Sequence, residues 1–377
     1  MSVNTGQANV ASTLSVRQWS LEQWLSSECE WNNLLARSSA DALFLSWQWL
    51  THWWEYYAQK LKLDAEILAF YRGSELVGIA PLYRALVVRG GVARVHSVQF
   101  IGHTWRNPAP LISEYLDVIA ARNDLDSVRN ECLRALLERP TWNELAIGFT
   151  AVGREWREAF SRQAPSRGHY ARELDRAVSY QADLGQGFAS YLKDLGQSTR
   201  RSIWNLRRRL ADEYGDVQLE SLALENIDSG FTDLNRLHQS RWSKPAFEGE
   251  RLEFHKTFAA QSAKRGELAF TRLRVGGVVV SVLYDICRGA RQYNIKMGFD
   301  PGFSTRLSLG LIHFGYAMEA AAERGVMQYD FLAGPGLSYD FKRNLGQIRR
   351  ELCGVQMLRG RFLPTVYRWR DRLRSPE

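Results

Sequence analysis

The stretch Gly302-Phe-Ser-Thr-Arg-Leu-Ser-Leu-Gly310, with the apolar run after it and the block Asp330-Phe-Leu-Ala-Gly334…Tyr339-Asp-Phe-Lys-Arg-Asn-Leu-Gly346, reads as a glycine-bearing turn, a helix, a strand and a polar turn. Apolar residues at 307, 311, 314, 318 and 322 keep a helical period, and Gly325 closes it. Ser308 stands at the expected N-cap. A helix that opens this way aims unpaired N–H groups and a partial positive charge at whatever lies before it, which suits a phosphate or pyrophosphate. Arg306 adds a full charge there. The same spacing also fits an ordinary buried helix entered through a loop, and the pattern alone leaves both readings open.

Working outward, 377 residues exceed one typical domain, so two domains are expected. A hydrophobic content of 45%, with 13 Trp, 15 Tyr and 17 Phe, excludes a disordered chain and leaves aromatic surface for a cleft or a partner. Cys29, Cys132, Cys287 and Cys353 are far apart and form no C-x-x-C pair, so no zinc site or disulfide framework is indicated, and a reducing cytosol is expected. No basic segment followed by an apolar core marks export, and the runs 42–54 and 307–318 are too short to span a membrane.

The net charge of +8 concentrates at the end of the chain. Between Arg343 and Arg374 nine arginines face only Glu351 and Asp371, and the last segment gathers Val366, Trp369 and Leu373 on one helical face with Arg368, Arg370, Arg372 and Arg374 around it. This pattern fits a basic surface-seeking helix able to meet anionic lipid, an acidic carrier protein or nucleic acid, and equally a solvated terminal helix packed by Trp369.

Residues 1–14 read as disordered. Ala42–Lys60 is expected to form an aromatic helix whose rings exceed one buried face and line a domain interface or apolar cleft. Strands follow at 65–71 and 76–88 around the turn Arg72-Gly73-Ser74-Glu75, with a third at 92–101, a helix near 124–139, a strand at 144–149 and a helix near 154–162. His96 and His103 lack a second ligand at metal spacing and read as structural. In the second half, 196–213 reads as one amphipathic helix with arginines at 200, 201, 207, 208 and 209. A strand at 217–224, helices at 228–244 and 252–265, and strands at 267–274, 278–287 and 291–298 precede the central helix. Strands at 327–332 and 350–358 close the unit. The element order repeats that of the first half, and Val77–Tyr83 lies on Val278–Tyr284 with Val, Leu and Tyr in common.

This order resembles the GNAT acyltransferase fold. More narrowly, Trp47-Gln-Trp-Leu…Trp53-Trp54, Leu76-Val-Gly-Ile-Ala-Pro-Leu-Tyr83, Arg241-Trp242, Tyr293 with Gly298-Phe-Asp-Pro301, and Asp330-Phe-Leu-Ala-Gly with Phe341-Lys-Arg-Asn-Leu-Gly346 resemble the CelD-like (BioF2-like, FemAB-related) acetyltransferases. The fold class implied is α/β (α+β): two GNAT-like units, each a mixed, mainly antiparallel sheet flanked by helices. Expected boundaries are 15–180 and 181–358, with a basic helix over 359–377. The resemblance implies acyl transfer from acyl-CoA, without a metal, to an amine or hydroxyl of a sugar, lipid or cell-envelope precursor. Arg306, Ser308, Leu309 and Gly310 would hold the donor, although Arg306-Leu-Ser-Leu-Gly310, with one glycine, departs from the family's usual turn Gln/Arg-x-x-Gly-x-Gly/Ala. Arg241, Trp242 and Tyr339 fall to the acceptor. Such chemistry needs near-attack positioning, proton removal and fixed donors for an oxyanion. Edge amides of Tyr293–Met297, the charge of Lys342, and Asp330 as its orienter or as base are the candidates; a turn-capping Asp330 and an Asp330–Lys342 ion pair are the structural alternatives. A cytoplasmic enzyme is expected, able to sit at the inner membrane or meet an acyl carrier protein through its basic end, with nucleic acid the less favoured partner. The competing readings are a FemX-like aminoacyl-tRNA-dependent transferase and a non-catalytic binding protein of the same fold.

Overall fold

The computed structural model describes residues 14–105, 113–164, 168–333 and 339–374. The chain divides into two units: one comprises the described residues up to Leu174 and from Gly354 onward, the other Asp175–Cys353. The segment expected to be disordered lies, except for Leu14, outside the described residues.

In the first unit, Ser15–Trp19 (β1) leads into two short helices, Leu21–Leu25 (α1) and Glu28–Ala36 (α2), and then Trp47–Leu61 (α3). The first three carry no periodic signal in the sequence. Helix α3 starts later than the expected Ala42 because Asp41 draws the N–H groups of Leu43 and Phe44 into a turn, after which the Ser46 hydroxyl accepts from Trp49 N at 3.2 Å. Trp49, Trp53, Trp54 and Tyr57 are all buried. Trp24 of α1 meets Trp54 edge-on at 5.6 Å, and the indoles of Trp31, Trp47 and Trp49 donate to Leu45 O, Trp24 O and Ser113 Oγ. These rings complete the unit's own core, in which three indole N–H groups find acceptors and those of Trp24 and Trp53 do not.

Asp64–Arg72 (β2), Glu75–Arg89 (β3) and Ala93–Phe100 (β4) form an antiparallel meander, its first turn made by Gly73 at φ 63°. Ile119–Ala120 (β5) joins β3, and Leu125–Leu137 (α4) crosses to Glu144–Thr150 (β6), parallel to β4 from Ser97↔Glu144 to Gln99↔Ala146. Gly153–Gln163 (α5) follows. The 15-residue strand His169–Asp183 (β7) then passes from the first unit into the second at Leu174.

The second unit continues with Phe188–Asp194 (α6), Gln197–Arg200 (α7) and Leu206–Tyr214 (α8), a π-turn over Arg201–Asn205 standing where one helix was expected. Val217–Ser221 (β8), Ile227–Trp242 (α9) and Gly249–Lys264 (α10) precede the meander of Leu268–Val275 (β9), Val278–Arg288 (β10) and Arg291–Phe299 (β11). Leu309–Glu323 (α11) crosses to Gln328–Asp330 (β12), parallel to β11, and Tyr339–Leu345 (α12) follows. The order is β7-β12-β11-β10-β9-β8. Ile348–Arg359 (β13) returns to the first unit at Gly354, and Phe362–Arg374 (α13) ends the described chain there.

Each unit is therefore a mixed, mainly antiparallel sheet flanked by helices. The meander β2-β3-β4 with α4 and parallel β6 repeats as β9-β10-β11 with α11 and parallel β12. Tyr83 and Tyr284, the residues aligned in the sequence, are both buried, on β3 and β10. The π-turn has a local cause: a Cβ on Gly315 of α11 would lie 2.3 Å from Ile203 O, so two backbones meet where the glycine permits it. Four of the five arginines of this segment have partners within the unit. Arg200 donates to Leu195 O, Arg207 to Ile203 O and Glu319, and Arg208 and Arg209 pair with Asp212 and Glu213.

Among the described residues no helix is long and apolar enough to cross a membrane. Helix α13 packs through Tyr367, under the Arg172 guanidinium, and through Asp371, which takes Tyr170 OH and Arg172. Its opposite face leaves Phe362, Val366, Trp369 and Leu373 at 40–70% exposure.

Candidate active site

Helix α11 is apolar nearly all round, and most of its residues from Leu309 to Ala321 are buried. Ser308 occupies the N-cap position but its side chain caps nothing, and the first turn holds no acid. Ile312 N closes the first helical bond on Ser308 O, so the N–H groups ahead of it remain available at an uncapped, acid-free end. Arg306 is exposed immediately before this end, with no acidic partner among the described residues; its main-chain N–H and that of Leu307 are drawn onto Ser304 Oγ at 3.2 Å. The side chain of Leu309 belongs to an apolar cluster with Leu307 and Ile312, so only its main chain faces the turn. A Cβ on Gly310 would lie 3.0 Å from Phe299 and 3.1 Å from Met297 Sδ. That glycine is required by the packing of α11 on β11.

Beside this helix end the sheet opens. The β11–β12 ladder has three pairs and stops at Tyr293↔Asp330. On β10 the register slips between Tyr284↔Lys296 and Asp285↔Asn294, bulging β11 at Ile295. Among the described residues no strand covers β11 beyond Tyr293 on the β12 side, so the main chain from Asn294 to Met297 is an open edge. Tyr293 itself is 1% exposed, with Arg291 5.6 Å over its ring.

Asp330 ends β12 fully buried. It accepts from Ser179 Oγ at 2.9 Å, Gln181 Nε2 at 2.8 Å and Leu332 N at 2.8 Å, with Arg291 Nη1 at 3.9 Å. The Leu332 contact holds a left-handed leucine, φ 52°, a conformation that costs energy for a branched side chain. Lys342, on α12, donates from Nζ to Leu332 O at 2.7 Å and Ala333 O at 3.2 Å. Its helix is fixed by Phe341 stacked on Phe314, by buried Leu345 whose carbonyl takes Tyr191 OH, and by Gly346, where a Cβ would lie 2.7 Å from Gln181 N. The motif spacing Phe-Lys-x-x-Leu-Gly thus sets two anchors and a close crossing around one lysine. The side chain of Tyr339 lies outside the described residues.

At the C-terminus of α9, Arg241 lies 4.3 Å over Trp242 and 4.2 Å over Phe299, and the His238 ring is 4.5 Å from Trp242. Trp242 is 37% exposed. His238 Nδ1 donates to Lys244 O at 2.8 Å. Burial, then the charges of Lys296, Lys244 and Arg241, hold its imidazole below its ordinary pKa.

Two further groups stand out that no sequence motif marks. Lys296, on the open edge, is pushed down to about 8, first by burial and then by Arg251, Lys244 and Lys342. Asp285, buried on β10, takes Gln292 Nε2 and Asn294 Nδ2 at 2.7 Å and Tyr329 OH, and burial raises its carboxyl to about 6. It ties β10, β11 and β12 together where the ladder ends.

Among the described residues the first unit shows no equivalent opening. Asp124 stands at the N-cap of α4 and Asp126 in its first turn, which disfavours an anion there. Past the β4–β6 ladder His103 fills the space: a Cβ on Gly148 would lie 2.4 Å from its ring. The parallel strand carries buried Glu144, held by Arg89, Ser97 and Gln356. The pocket on α5, about 510 Å³ and lined by Arg154, Arg157, Glu158, Ser161, Arg162 and Ala171, is apart from these elements. No group of three or more potential metal ligands occurs among the described residues.

The second unit thus presents an uncapped central helix beside a parallel pair of strands whose ladder ends next to a bulge. In comparison with known proteins, residues 197–343 match the family model described as an acetyltransferase (GNAT) domain. Among solved structures, FemX shares 13% identity at a TM-score of 0.59, over 90% of this chain and 97% of that one. A protein of unknown function from Bacteroides thetaiotaomicron shares 12% at 0.53, over 92% and 100%. L-PGS from Bacillus licheniformis shares 12% at 0.50, over 92% and 97%. At these identities the likeness is one of fold. The search of curated proteins found no match.

Proposed function

We propose that the protein is an acyltransferase of the CelD-like kind that takes an acyl group from acyl-CoA and passes it to an amine or hydroxyl of a sugar, lipid or cell-envelope precursor. The observation that carries this is the uncapped, acid-free end of α11, with Arg306 before it, next to the open edge of β11. A pyrophosphate suits this end, which offers the main-chain N–H groups of Leu309 and Gly310 with exposed Arg306 just before them. The donor's amide-bearing arm fits the open main chain of Asn294–Met297 as an added strand would. Its carbonyl would then lie near Lys342, whose full charge stabilises negative charge developing on the carbonyl oxygen. Asp330, with no exposed surface and three donors on its oxygens, acts by fixing the Leu332 turn whose carbonyls accept from Lys342 Nζ; it is a positioning residue. Arg241 and exposed Trp242 are assigned to the acceptor side, with Tyr339.

Helix α13 supports a reaction at an anionic membrane surface. Its exposed stripe Phe362–Val366–Trp369–Leu373 lies between arginines at 361, 370 and 372, the pattern of a helix lying in a headgroup layer.

Thermal stabilisation by CoA, acetyl-CoA and long-chain acyl-CoA, with tRNA and acyl carrier protein as the other arms, tests the donor. A ligand at about 100 times its Kd adds roughly 2.7 kcal/mol. Stabilisation by acyl-CoA is expected; stabilisation by tRNA alone would favour the aminoacyl-tRNA reading, which the likeness to FemX keeps in view.

A further inference from the structure

Around the bulge of β11 the second unit gathers cations without acids to match them. Lys296 lies opposite Tyr284 in the β10–β11 ladder. The Tyr284 ring meets Phe247 at 6.3 Å and His255 at 5.6 Å, and over Phe247, at 5.9 Å, stands the guanidinium of Arg251. Lys244, whose carbonyl takes the His238 Nδ1–H, is in the same α9–α10 connection. Among the described residues Lys296, Arg251 and Lys244 have no hydrogen-bonded or ion-paired acid, and Arg251 Nε is buried without any partner. The nearby acids, Glu248 at the N-cap of α10 and Glu250 in its first turn, are exposed. Arg324, Arg272 and Arg207 of the same unit each meet a carboxylate or a side-chain oxygen. Holding three uncompensated cations around a half-buried position is unfavourable unless an anion completes it. A single carboxylate leaves two charges unmatched, whereas a phosphate monoester or diphosphate matches them.

We infer that Lys244, Arg251 and Lys296 form a receptor for the phosphate or diphosphate group of the acceptor substrate, distinct from the donor's place at the end of α11. This rests on the acyl-transfer reading for the word acceptor, but not for the anion site itself. The acceptor class is thereby narrowed to phosphorylated compounds, such as a nucleotide-linked sugar or a phospholipid headgroup, with exposed Trp242 beside the receptor to take a ring.

The test is calorimetric titration of inorganic pyrophosphate into the full chain, alone and with CoA present at saturation, for wild type, Lys296→Met, Arg251→Gln and Arg306→Ala. Lys296→Met and Arg251→Gln are each expected to weaken pyrophosphate roughly 10- to 100-fold, the loss of one charge-assisted contact, and Arg251→Gln, which lies off the strand assigned to the donor's arm, to leave CoA affinity unchanged. The Lys296 ammonium, followed by NMR of the reductively methylated protein, is expected to titrate at higher pH once pyrophosphate is added. Unchanged pyrophosphate affinity in both variants would overturn the receptor, as would CoA displacing pyrophosphate with Arg251→Gln weakening CoA equally, since the cluster would then belong to the donor. A protein that ignores acyl-CoA but loses pyrophosphate in these variants would sink the acyl-transfer reading and leave the receptor standing. Nucleotide diphosphates and vesicles containing an anionic phospholipid, compared on the same variants, separate the two sources of the phosphate.

Discussion

Lys342 stands out in the sequence by its motif, and the structure explains the spacing by Phe341, Leu345 and Gly346, which hold it over the turn after β12. If it stabilises charge in the transition state, Lys342→Ala should lower kcat about 100- to 1,000-fold while moving the donor KM little. If it only holds the Leu332 and Ala333 carbonyls, the variant should lose thermal stability and keep near-wild-type turnover. Lys296 goes unmarked in the sequence because a lone lysine in an alternating strand carries no signal. Its isolation from acids exists only once the α9–α10 connection folds beside it. His313 is a residue whose effect follows from burial alone. Its Nδ1 meets Ser281 Oγ at 2.9 Å and its Nε2 meets Thr271 Oγ1 at 3.0 Å, and burial lowers it to about 3 from 6.5. Between pH 6.5 and 3 the unfolded chain binds a proton here that the folded chain refuses, so this stability is present above 6.5 and is lost as pH falls, on the order of a few kcal/mol. Asp285, raised to about 6 from 3.8, works in the opposite sense: its contribution is present below 3.8 and is lost as pH rises through 6. The His313 part is therefore read as the difference between wild-type and His313→Gln denaturation curves, which should converge towards acid pH; parallel curves would show that His313 titrates normally.

At the scale of elements, apolar runs bounded by turn residues locate β2, β3, β4, β9, β10, β11 and α11; the middles of β2, β3, β9 and β10 are buried on both faces, and α11 is apolar nearly all round. Such runs do not locate β1, α1 and α2, which are too short to show a period, or β7, whose residues from His169 to Glu173 are all half-buried. The π-turn before α8 is invisible in the sequence because its cause, Gly315, lies on another helix. Gly346 gives a direct check on the α12 crossing: a Cβ there would meet Tyr180 Cβ at 2.6 Å as well as Gln181 N, so Gly346→Ala should destabilise the protein by about 1–3 kcal/mol, seen as a lower Tm. An unchanged Tm would mean that α12 is held otherwise. Helix α13 makes a different prediction. Vesicles containing anionic lipid should sediment the wild-type protein and not the Phe362→Ser/Trp369→Ser variant, with binding weakened by salt. Equal sedimentation of both proteins, or retention on an acyl carrier protein instead, would remove the membrane from the account.

For the molecule as a whole, the sequence repeat is present as the two meanders with their parallel strands, while the proposed chemistry is confined to one of them. Asp124 and Asp126 at the start of α4 disfavour an anion at that helix end, and His103 packs against Gly148 in the chain's first unit. That asymmetry is partly legible, since Arg306–Gly310 and Lys342 occur once in the sequence. What is not legible is that Gly310 serves helix packing and that Asp330 is held by Ser179 and Gln181 of β7, a strand without a periodic signal. The claim on which the rest depends is that the end of α11 receives the donor's pyrophosphate. Calorimetry of CoA binding to wild type and Arg306→Ala tests it most directly: the account predicts an unaltered Tm without ligand and a loss of about 1.5–3 kcal/mol in binding, and CoA affinity equal to wild type in the variant would contradict it.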